Sequence, residues 1–409
     1  MNVLLLGNGF DLYYKLPTRY IDFLNTVNFL IHNQSLNIKY IGDVFSDISF
    51  KNDKFIKSCY ETHKSVFDYT PIEKDKINEL VNITSNNKWF LYLIKSYNQD
   101  IGWIDFEKEI SFVISCFQKN LPEVGKHIFF NSENVEALYI LQHFDILSCE
   151  DDSIKRYAGG HSRSVKRIYC KEYPIGSGNI IVDKESIVNV LHNELCELAE
   201  ALKLYLQCFV ESIFDVLHKE GTCKRLDILS NARVAVTFNY TNTYEKLYFN
   251  KYAFHIHGNL NNNIILGVNS DESDIIIEQS NNIILPDTTF LSFKKYYNRV
   301  GYDTDADYLK WISEVSEGYY LTIMGHSLDV TDKDIIKELF EQADEITILY
   351  HNIEAKRKYA ENLVKIFGNI KFEKLRREKN LRLLPLDMDF TDMVLEMKED
   401  AFDKVISSL

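Results

Sequence analysis

The chain has 409 residues and a net charge of −14, with 46 lysines and arginines against 60 aspartates and glutamates. Affinity for the phosphate backbone comes from clustered lysine and arginine, so this acidic balance argues against a general nucleic-acid-binding protein. The hydrophobic fraction, 45%, is ordinary for a globular protein, and the length allows one elaborated domain or two to three small ones.

The cysteines and the apolar runs exclude further classes of protein. The seven cysteines are widely spaced and form no C-x-x-C pair, which argues against both a disulfide framework and a zinc ribbon. No apolar run approaches the roughly 18 residues of a membrane span. We therefore expect a cytoplasmic protein that does not associate with a membrane.

The first element is predicted to be a buried strand followed by a turn and a helix. Residues 2–6 form a continuous apolar run, and GNGFDL follows at residues 7–12. Thr18, after Leu16 and Pro17, is a candidate helix cap before the apolar positions of the next segment. Strand, turn and helix in this order are the start of a βα unit.

The pattern becomes helical over residues 26–228, where apolar residues recur at helical spacing. One basic segment interrupts it at residues 155–171. A solvated loop is the favoured interpretation of this segment, and a lid over a phosphate-bearing ligand is the alternative.

Strand-like runs return from Arg233 onward and alternate with helical stretches, which favours a mainly parallel sheet of the doubly wound class. We expect the first strand to join this sheet. The predicted domains are a discontinuous nucleotide-binding α/β domain (1–25 and 229–375), a large, mostly helical insertion (26–228) and a C-terminal extension (376–409).

Polar clusters follow four predicted strands, where ligands of open α/β sheets bind. They read GNGFD, TFNYT, HGN and GHSLD, and a weaker fifth cluster is His351-Asn352. Taken singly, each has a structural explanation, because glycines permit turns and Asn or Asp cap helices. Their convergence on one edge of one sheet is what favours a binding site.

The opening turn does not match the dinucleotide-binding motif, because Leu12 occupies the place of the third glycine. A dehydrogenase-type NAD site is therefore not predicted. Gly7 and Gly9 still allow the backbone to approach a pyrophosphate. Asp11 is better suited to a ribose hydroxyl, an amide or a helix cap than to phosphate.

Six segments together closely resemble the bacteriophage abortive-infection AbiH family: GNGFDLYYKLPTRYIDFL, WIDFE, TFNYTNTYEKLY, HIHGN, MGHSLDVTD and YHNIEAKRKYAENLVKIFG. They span Gly7 to Gly368 in the order of the family. Lys15 is a departure, since the family usually has glycine there. The resemblance implies an anti-phage abortive-infection effector, with a phage-derived trigger or a partner defence protein among its expected partners.

A more distant resemblance is to sirtuin-like NAD-consuming proteins, which show similar motifs in the same order, and it implies a sirtuin-like fold. It also implies that Asn239 contacts the nicotinamide ribose and places the nucleophile, that His257 acts as base, and that Asp11 orients the carboxamide or a water. The implied nucleotide-binding residues are Gly7, Asn8, Gly9, Phe10, Pro17, Thr18, Thr237, Gly258, Gly325, His326, Ser327, Asp329 and Asn352. A four-cysteine zinc module is missing from the sequence, which speaks against a protein deacylase.

Three functional hypotheses follow. The first is a nucleotide glycohydrolase with NAD as its substrate and no metal, which by resemblance to related effectors we expect to form a homo-oligomer. The second is a non-catalytic nucleotide sensor that signals through the helical insertion. The third is a metal-dependent phosphoester hydrolase, with Asp329, Asp332, Asp334 and His326 as candidate ligands. The acids of SLDVTDKD are also typical of a helix N-terminus, which is the favoured interpretation.

Overall fold

A computed structural model describes most of the chain. The described residues are 1–47, 50, 53–97, 104–120, 135–146, 148–149, 168–169, 184–248, 252–268, 276–278, 284–286, 288–315, 318–378 and 380–387. The basic segment 155–171 lies outside these residues apart from 168–169, and so does Trp103 of WIDFE.

Six parallel strands form the central sheet. In chain order the strands of the described residues are β1 (Asn2–Leu6), β2 (Ser148–Cys149), β3 (Ile168–Tyr169), β4 (Val234–Thr237), β5 (Tyr252–His255), β6 (Ile276–Glu278), β7 (Ile284–Pro286), β8 (Tyr319–Met324), β9 (Ala343–Tyr350) and β10 (Arg382–Pro385). The sheet has the order β10-β9-β8-β1-β4-β5. β2 with β3, and β6 with β7, form separate antiparallel pairs.

The order of the strands determines where a ligand crevice can form. Counted along the chain and read from β5, the sheet has the order 3-2-1-4-5-6 of the dinucleotide-binding fold. The direction of winding reverses between β1 and β8, which are paired from Asn2 with Tyr320 to Leu6 with Met324. The loops after these two strands therefore lie at the topological switch point.

β1 lies in the middle of the sheet because its side chains are apolar on both faces. Val3, Leu4, Leu5 and Leu6 are all buried, and a strand covered on both sides needs such a continuous apolar run. Residues of β1, β8 and β9 form one core cluster with helix Lys333–Gln342.

Most of the remaining described elements are helices. The α-helices are Gly9–Tyr13, Tyr20–His32, Ile41–Phe45, Lys54–Thr62, Lys64–Tyr69, Lys74–Thr84, Lys88–Ser96, Phe106–Asn120, Val135–His143, Lys184–Tyr205, Ser212–Lys219, Asp227–Ser230, Thr243–Tyr248, Lys295–Tyr302, Ala306–Glu314, Lys333–Gln342 and Ile353–Glu378. Leu206–Glu211 is a π-helical turn, and Leu291–Phe293 and Val330–Asp332 are 3₁₀ turns. Helix Ile353–Glu378 is interrupted at Gly368, whose φ is 75°.

The chain divides into two compact units. The first comprises residues 1–78, 202–265 and 299–409 and contains the central sheet; the second comprises residues 79–201 and 266–298. In the second unit Trp89 packs against Phe144 and Phe293. Its Trp89 indole N–H donates to the carbonyl of Leu191 at 2.8 Å.

The predicted α/β class with a mainly parallel sheet and many helices is confirmed. The sirtuin-like details of the fold stay a prediction. Residues 26–78 and 202–228, which the sequence assigned to the insertion, belong to the unit that holds the sheet. β10 lies in the segment 376–409 that the sequence set apart as an extension, and it pairs with β9.

Candidate functional site

The loops after β1 and β8 are in direct backbone contact at the switch point. The Gly7 N–H donates to the Met324 carbonyl at 3.1 Å, and the Gly9 N–H donates to the Gly325 carbonyl at 2.8 Å. A Cβ at Gly7 would lie 2.5 Å from the Cα of His326, and a Cβ at Gly9 would lie 2.6 Å from the Cα of Gly325. The glycines of GNG thus permit a close approach of two loops, which explains their presence without a ligand.

Asp11 is the most buried acid of the predicted site. It is 1% exposed. Its Oδ2 accepts hydrogen bonds from the Thr241 hydroxyl at 2.6 Å and from the Asn239 amide at 3.3 Å. Burial raises the pKa of Asp11 to about 6; the hydroxyls of Thr241 and Thr243 lower it, and the charges of Glu211 and Glu245 raise it further.

Asp11 and Asn239 each keep one buried oxygen without a hydrogen-bond partner among the described residues. These atoms are Asp11 Oδ1 and Asn239 Oδ1. A buried acceptor that is left unsatisfied costs roughly 1–3 kcal/mol, so its presence requires an explanation. Both atoms accept hydrogen bonds, and a ligand that satisfied them would have to supply donors.

Asn239 is the second residue after β4, and side chains hold its backbone. Its N–H donates to the Thr237 hydroxyl at 3.1 Å. Its carbonyl accepts from His255 Nδ1 at 2.8 Å, and His255 Nε2 lies 2.6 Å from Glu245 Oε1. The predicted nucleotide-binding residue Thr237 therefore has a role in positioning Asn239.

His257 lies in a second cluster with His326. The Oδ1 atom of Asp332 is 3.5 Å from His257 Nε2, and Oδ2 is 3.5 Å from His326 Nε2. The ring of Phe238 lies against both imidazoles, with centroid distances of 5.0 Å and 4.3 Å. The structure thus brings His257 and His326, which come from two separate sequence motifs, to one carboxylate, Asp332, which the sequence assigned to a helix N-terminus or to the metal hypothesis.

The tautomer of His326 follows from its backbone contact. The Leu328 N–H donates to His326 Nδ1 at 3.0 Å, so Nδ1 is unprotonated and the ring proton lies on Nε2, towards Asp332.

The residues of the first turn and the following loop contact one another. The Thr18 hydroxyl donates to the Asn8 side-chain oxygen at 2.6 Å, and the Tyr205 hydroxyl donates to the Pro17 carbonyl at 2.8 Å. Phe10 is buried against Tyr14 and Tyr244. These contacts fix the loop, and Asn8 is the predicted binding residue in it that is exposed.

The remaining predicted binding residues have structural roles in the described chain. Asp329 accepts from the Thr331 N–H and Asn352 from the Ala355 N–H, so both cap the start of a helical segment. The Ser327 carbonyl accepts from Asn362 at 3.0 Å. Gly258 has a φ of 79°, and a Cβ there would lie 1.8 Å from the Asn263 carbonyl oxygen. Their roles in nucleotide binding stay predictions.

The acids of WIDFE also acquire partners. Glu107 forms an ion pair with the buried Lys295 at 2.5 Å, and Asp105 accepts from the Lys108 N–H at 3.2 Å. Glu107 thereby joins distant segments of the second unit.

Of the four residues proposed as metal ligands, Asp332 and His326 lie together, whereas Asp329 and Asp334 have other partners. Asp334 pairs with Arg299 and Asp329 caps a turn, while Asp332 lies between the histidines. Within the described part of the chain, we find no group of three or more His, Cys, Asp or Glu side chains that could hold a metal ion.

Sequence reasoning missed His255 and Glu245. They line a cavity of about 550 Å³ in the first unit, together with Glu211, Asn242, Lys246, Tyr252, Ala253, Asn259 and Asn261. The signal for His255 was its place at the end of β5, two residues before the His-Gly pair. The register pairs His255 with Thr237 across β4 and β5, which brings its ring to the Asn239 carbonyl two residues further on, and this register could not be known from the sequence.

The sequence of the chain matches the model of a known protein family. The sequence model of the family described as bacteriophage abortive infection AbiH matches residues 3–351. The chain belongs to the AbiH family. This membership indicates an anti-phage abortive-infection role.

No curated protein and no solved structure matches this AbiH chain. Among the described residues no helix is both long and apolar enough to span a membrane.

Proposed function

We propose that this AbiH protein is a nucleotide glycohydrolase that cleaves the bond between nicotinamide and ribose in NAD. The observation that carries the proposal is the pair of buried, unpartnered acceptors, Asp11 Oδ1 and Asn239 Oδ1, beyond the carboxyl ends of β1 and β4. In a sheet of this order, ligands bind at this edge.

The chemistry of the two acceptors favours one part of a nucleotide. A phosphate offers only acceptor oxygens at neutral pH, and an ionised carboxylate would repel it. A ribose diol or a carboxamide NH₂ group instead provides donors. Asp11 and Asn239 therefore suit the nicotinamide riboside half of NAD.

The reaction needs little covalent help from the protein. Cleavage of an N-glycosidic bond proceeds through an oxocarbenium-like transition state, so positioning of substrate and water carries much of the catalysis. Asn239 places the water, whose oxygen forms a bond to the anomeric carbon. The electrons of the broken bond pass to the nicotinamide nitrogen, and the proton of the water passes to His257.

In this proposal the Asp332 carboxylate, 3.5 Å from His257 Nε2, stabilises the positive charge that the ring gains when it takes the proton. Depletion of NAD would halt an infected cell, which agrees with an abortive-infection role.

The proposal is tested by incubating purified protein with NAD, its phosphorylated form and other nucleotides, and separating the products by chromatography. We expect free nicotinamide from the wild-type protein, and a loss of about 100-fold or more in turnover for His257→Ala and Asn239→Ala. Exposed residues of the same types, His32 and Asn37, provide the matched controls His32→Ala and Asn37→Ala.

Retained turnover in either site variant would contradict the assigned roles. Tight nucleotide binding by calorimetry without any product would instead favour the sensor hypothesis.

A further inference from the structure

We infer that His255, held by Glu245, is the positioning residue for Asn239. His255 and Asn239 thereby connect the cavity lined by Glu245 to the buried Asp11. The inference rests on the proposed function, because it names how the proposed Asn239 is held.

The backbone of Asn239 needs this support. Regular sheet contacts end one residue earlier, where the Phe238 N–H donates to the Leu6 carbonyl. Asn239 is 7% exposed, so solvent does not hydrate its carbonyl freely. His255 Nδ1 is the donor that satisfies this carbonyl, at 2.8 Å.

The direction of the His255 ring is fixed from its other side. Nε2 lies 2.6 Å from Glu245 Oε1, and the carbonyl of Asn239 faces Nδ1. The Asn239 carbonyl and the Glu245 carboxylate are both acceptors, and each lies against one nitrogen of the ring. Because a charge-assisted contact of this kind is roughly twice as strong as a neutral one, Glu245 restrains the imidazole firmly.

Three successive contacts link the cavity to Asp11. Glu245 lines the cavity, His255 lies between it and the Asn239 carbonyl, and the Asn239 amide donates to Asp11 Oδ2 at 3.3 Å. A shift of the Asn239 backbone would move its side chain away from Asp11. His255 therefore acts on the reaction through Asn239, without touching the substrate.

Two substitutions of His255 test the contributions of the two ring nitrogens separately. In His255→Asn the amide nitrogen can take the place of Nδ1 and donate to the Asn239 carbonyl. In His255→Gln the amide lies at the place of Nε2, so the contact with Glu245 can survive while the one with Asn239 is lost.

We expect His255→Gln to lower kcat about 30-fold with KM changed less than about 3-fold, since the contact orients a group that acts in the transition state. His255→Asn should recover most of this loss. Melting temperatures of both variants identify any that have simply lost the fold.

A double-mutant cycle distinguishes positioning from general stabilisation. If His255 acts only through Asn239, then His255→Gln adds no further loss of turnover to Asn239→Ala. Additive losses, or a folded His255→Gln variant with wild-type kcat, would overturn the inference.

Turnover by the wild-type protein tests the proposed function independently of the role of His255. If the wild-type protein turns over no nucleotide, the glycohydrolase proposal fails, and the same cycle is then measured as protection of cells against phage. Non-additive loss of protection would support the positioning role, and full protection by His255→Gln would overturn it.

Discussion

The Asp11 carboxyl is buried, and this burial should make the stability of the protein depend on pH. Its pKa is raised to about 6 from 3.8 because burial disfavours the ionised form. Between these two values the folded protein binds more protons than the unfolded chain. Stability contributed by this group is therefore greatest below about pH 4 and falls as the pH rises to about 6.

We expect Asp11→Asn to be more stable than the wild-type protein near pH 8, by as much as about 3 kcal/mol, because it removes the cost of an ionised buried acid. This difference should shrink as the pH falls to about 4. Urea unfolding at both pH values measures it.

The control for this substitution is Asp344→Asn at an exposed position, which should change stability by less than about 0.5 kcal/mol. An Asp11→Asn protein that differs from the wild type equally at both pH values would contradict the raised pKa. If Asp11 also orients the substrate, the gain in stability comes with a loss of turnover.

Lys15 has a backbone conformation that is unfavourable for a residue with a side chain. Its φ is 59°, in the left-handed region that favours glycine. Lys15→Gly should therefore stabilise the protein by up to about 1 kcal/mol, since the relief of strain exceeds the added flexibility of the unfolded chain.

The comparison is Lys15→Ala, which keeps the left-handed strain and also loses the ammonium group 5.9 Å from the Phe55 ring. Thermal denaturation should rank the glycine variant above both the alanine variant and the wild-type protein. The reverse order would show that the strain at Lys15 is small.

Among the elements, the paired loops after β1 and β8 determine the geometry of the switch point. Gly325 has a φ of 72°, and a Cβ there would lie 2.2 Å from the Phe10 backbone nitrogen. Such a contact cannot be relieved by a side-chain rotation, because the backbone fixes the position of a Cβ and the Phe10 nitrogen is itself a backbone atom. The loops must separate if any larger residue occupies this position.

We expect Gly325→Ala to lower the free energy of unfolding by more than about 3 kcal/mol, because it combines backbone strain with a steric clash. Gly221→Ala is the matched control: Gly221 also has a positive φ, 68°, but nothing lies within 4 Å of its added Cβ. This control should lose only about 1 kcal/mol.

Chemical denaturation of the two variants isolates the clash from the strain. Equal losses would show that the loops after β1 and β8 can move apart at little cost. In that case the switch point would be more adaptable than the paired glycines indicate.

Over the whole molecule, the two compact units are both assembled from segments that are far apart in the chain. In the second unit, the ion pair between Lys295 and Glu107 is one contact of this kind, and Lys295 is 2% exposed. Removal of one partner from a buried pair leaves an uncompensated charge, which is more costly than the net gain from the intact pair.

Lys295→Met should therefore lower the free energy of unfolding by about 3–5 kcal/mol. The control is Lys108→Met, whose ammonium pairs with Asp105 at 3.4 Å and whose side chain is 67% exposed; its loss should stay below about 1 kcal/mol. Denaturant midpoints measure both, and equal losses would mean that burial of the Lys295 pair adds nothing.

Much of the architecture was predictable because it depends on local pattern. The apolar run of β1 and the return of strand patterns after Arg233 predicted a mainly parallel sheet, and the sheet has that form. The boundaries of the compact units were not predictable in the same way. They depend on which helices pack together, and helical spacing alone does not identify the partner of an apolar face.

The sequence by itself determined that the chain belongs to the AbiH family, that polar clusters follow the strands, and that Asp11, Asn239 and His257 deserve a chemical hypothesis. Only the tertiary structure decided that Asp11 meets Asn239 while His257 meets Asp332, and that His255 supports the Asn239 carbonyl. The physical reason is that contacts depend on strand order and register, which place residues more than 200 positions apart within hydrogen-bond distance, as for Asp11 and Asn239.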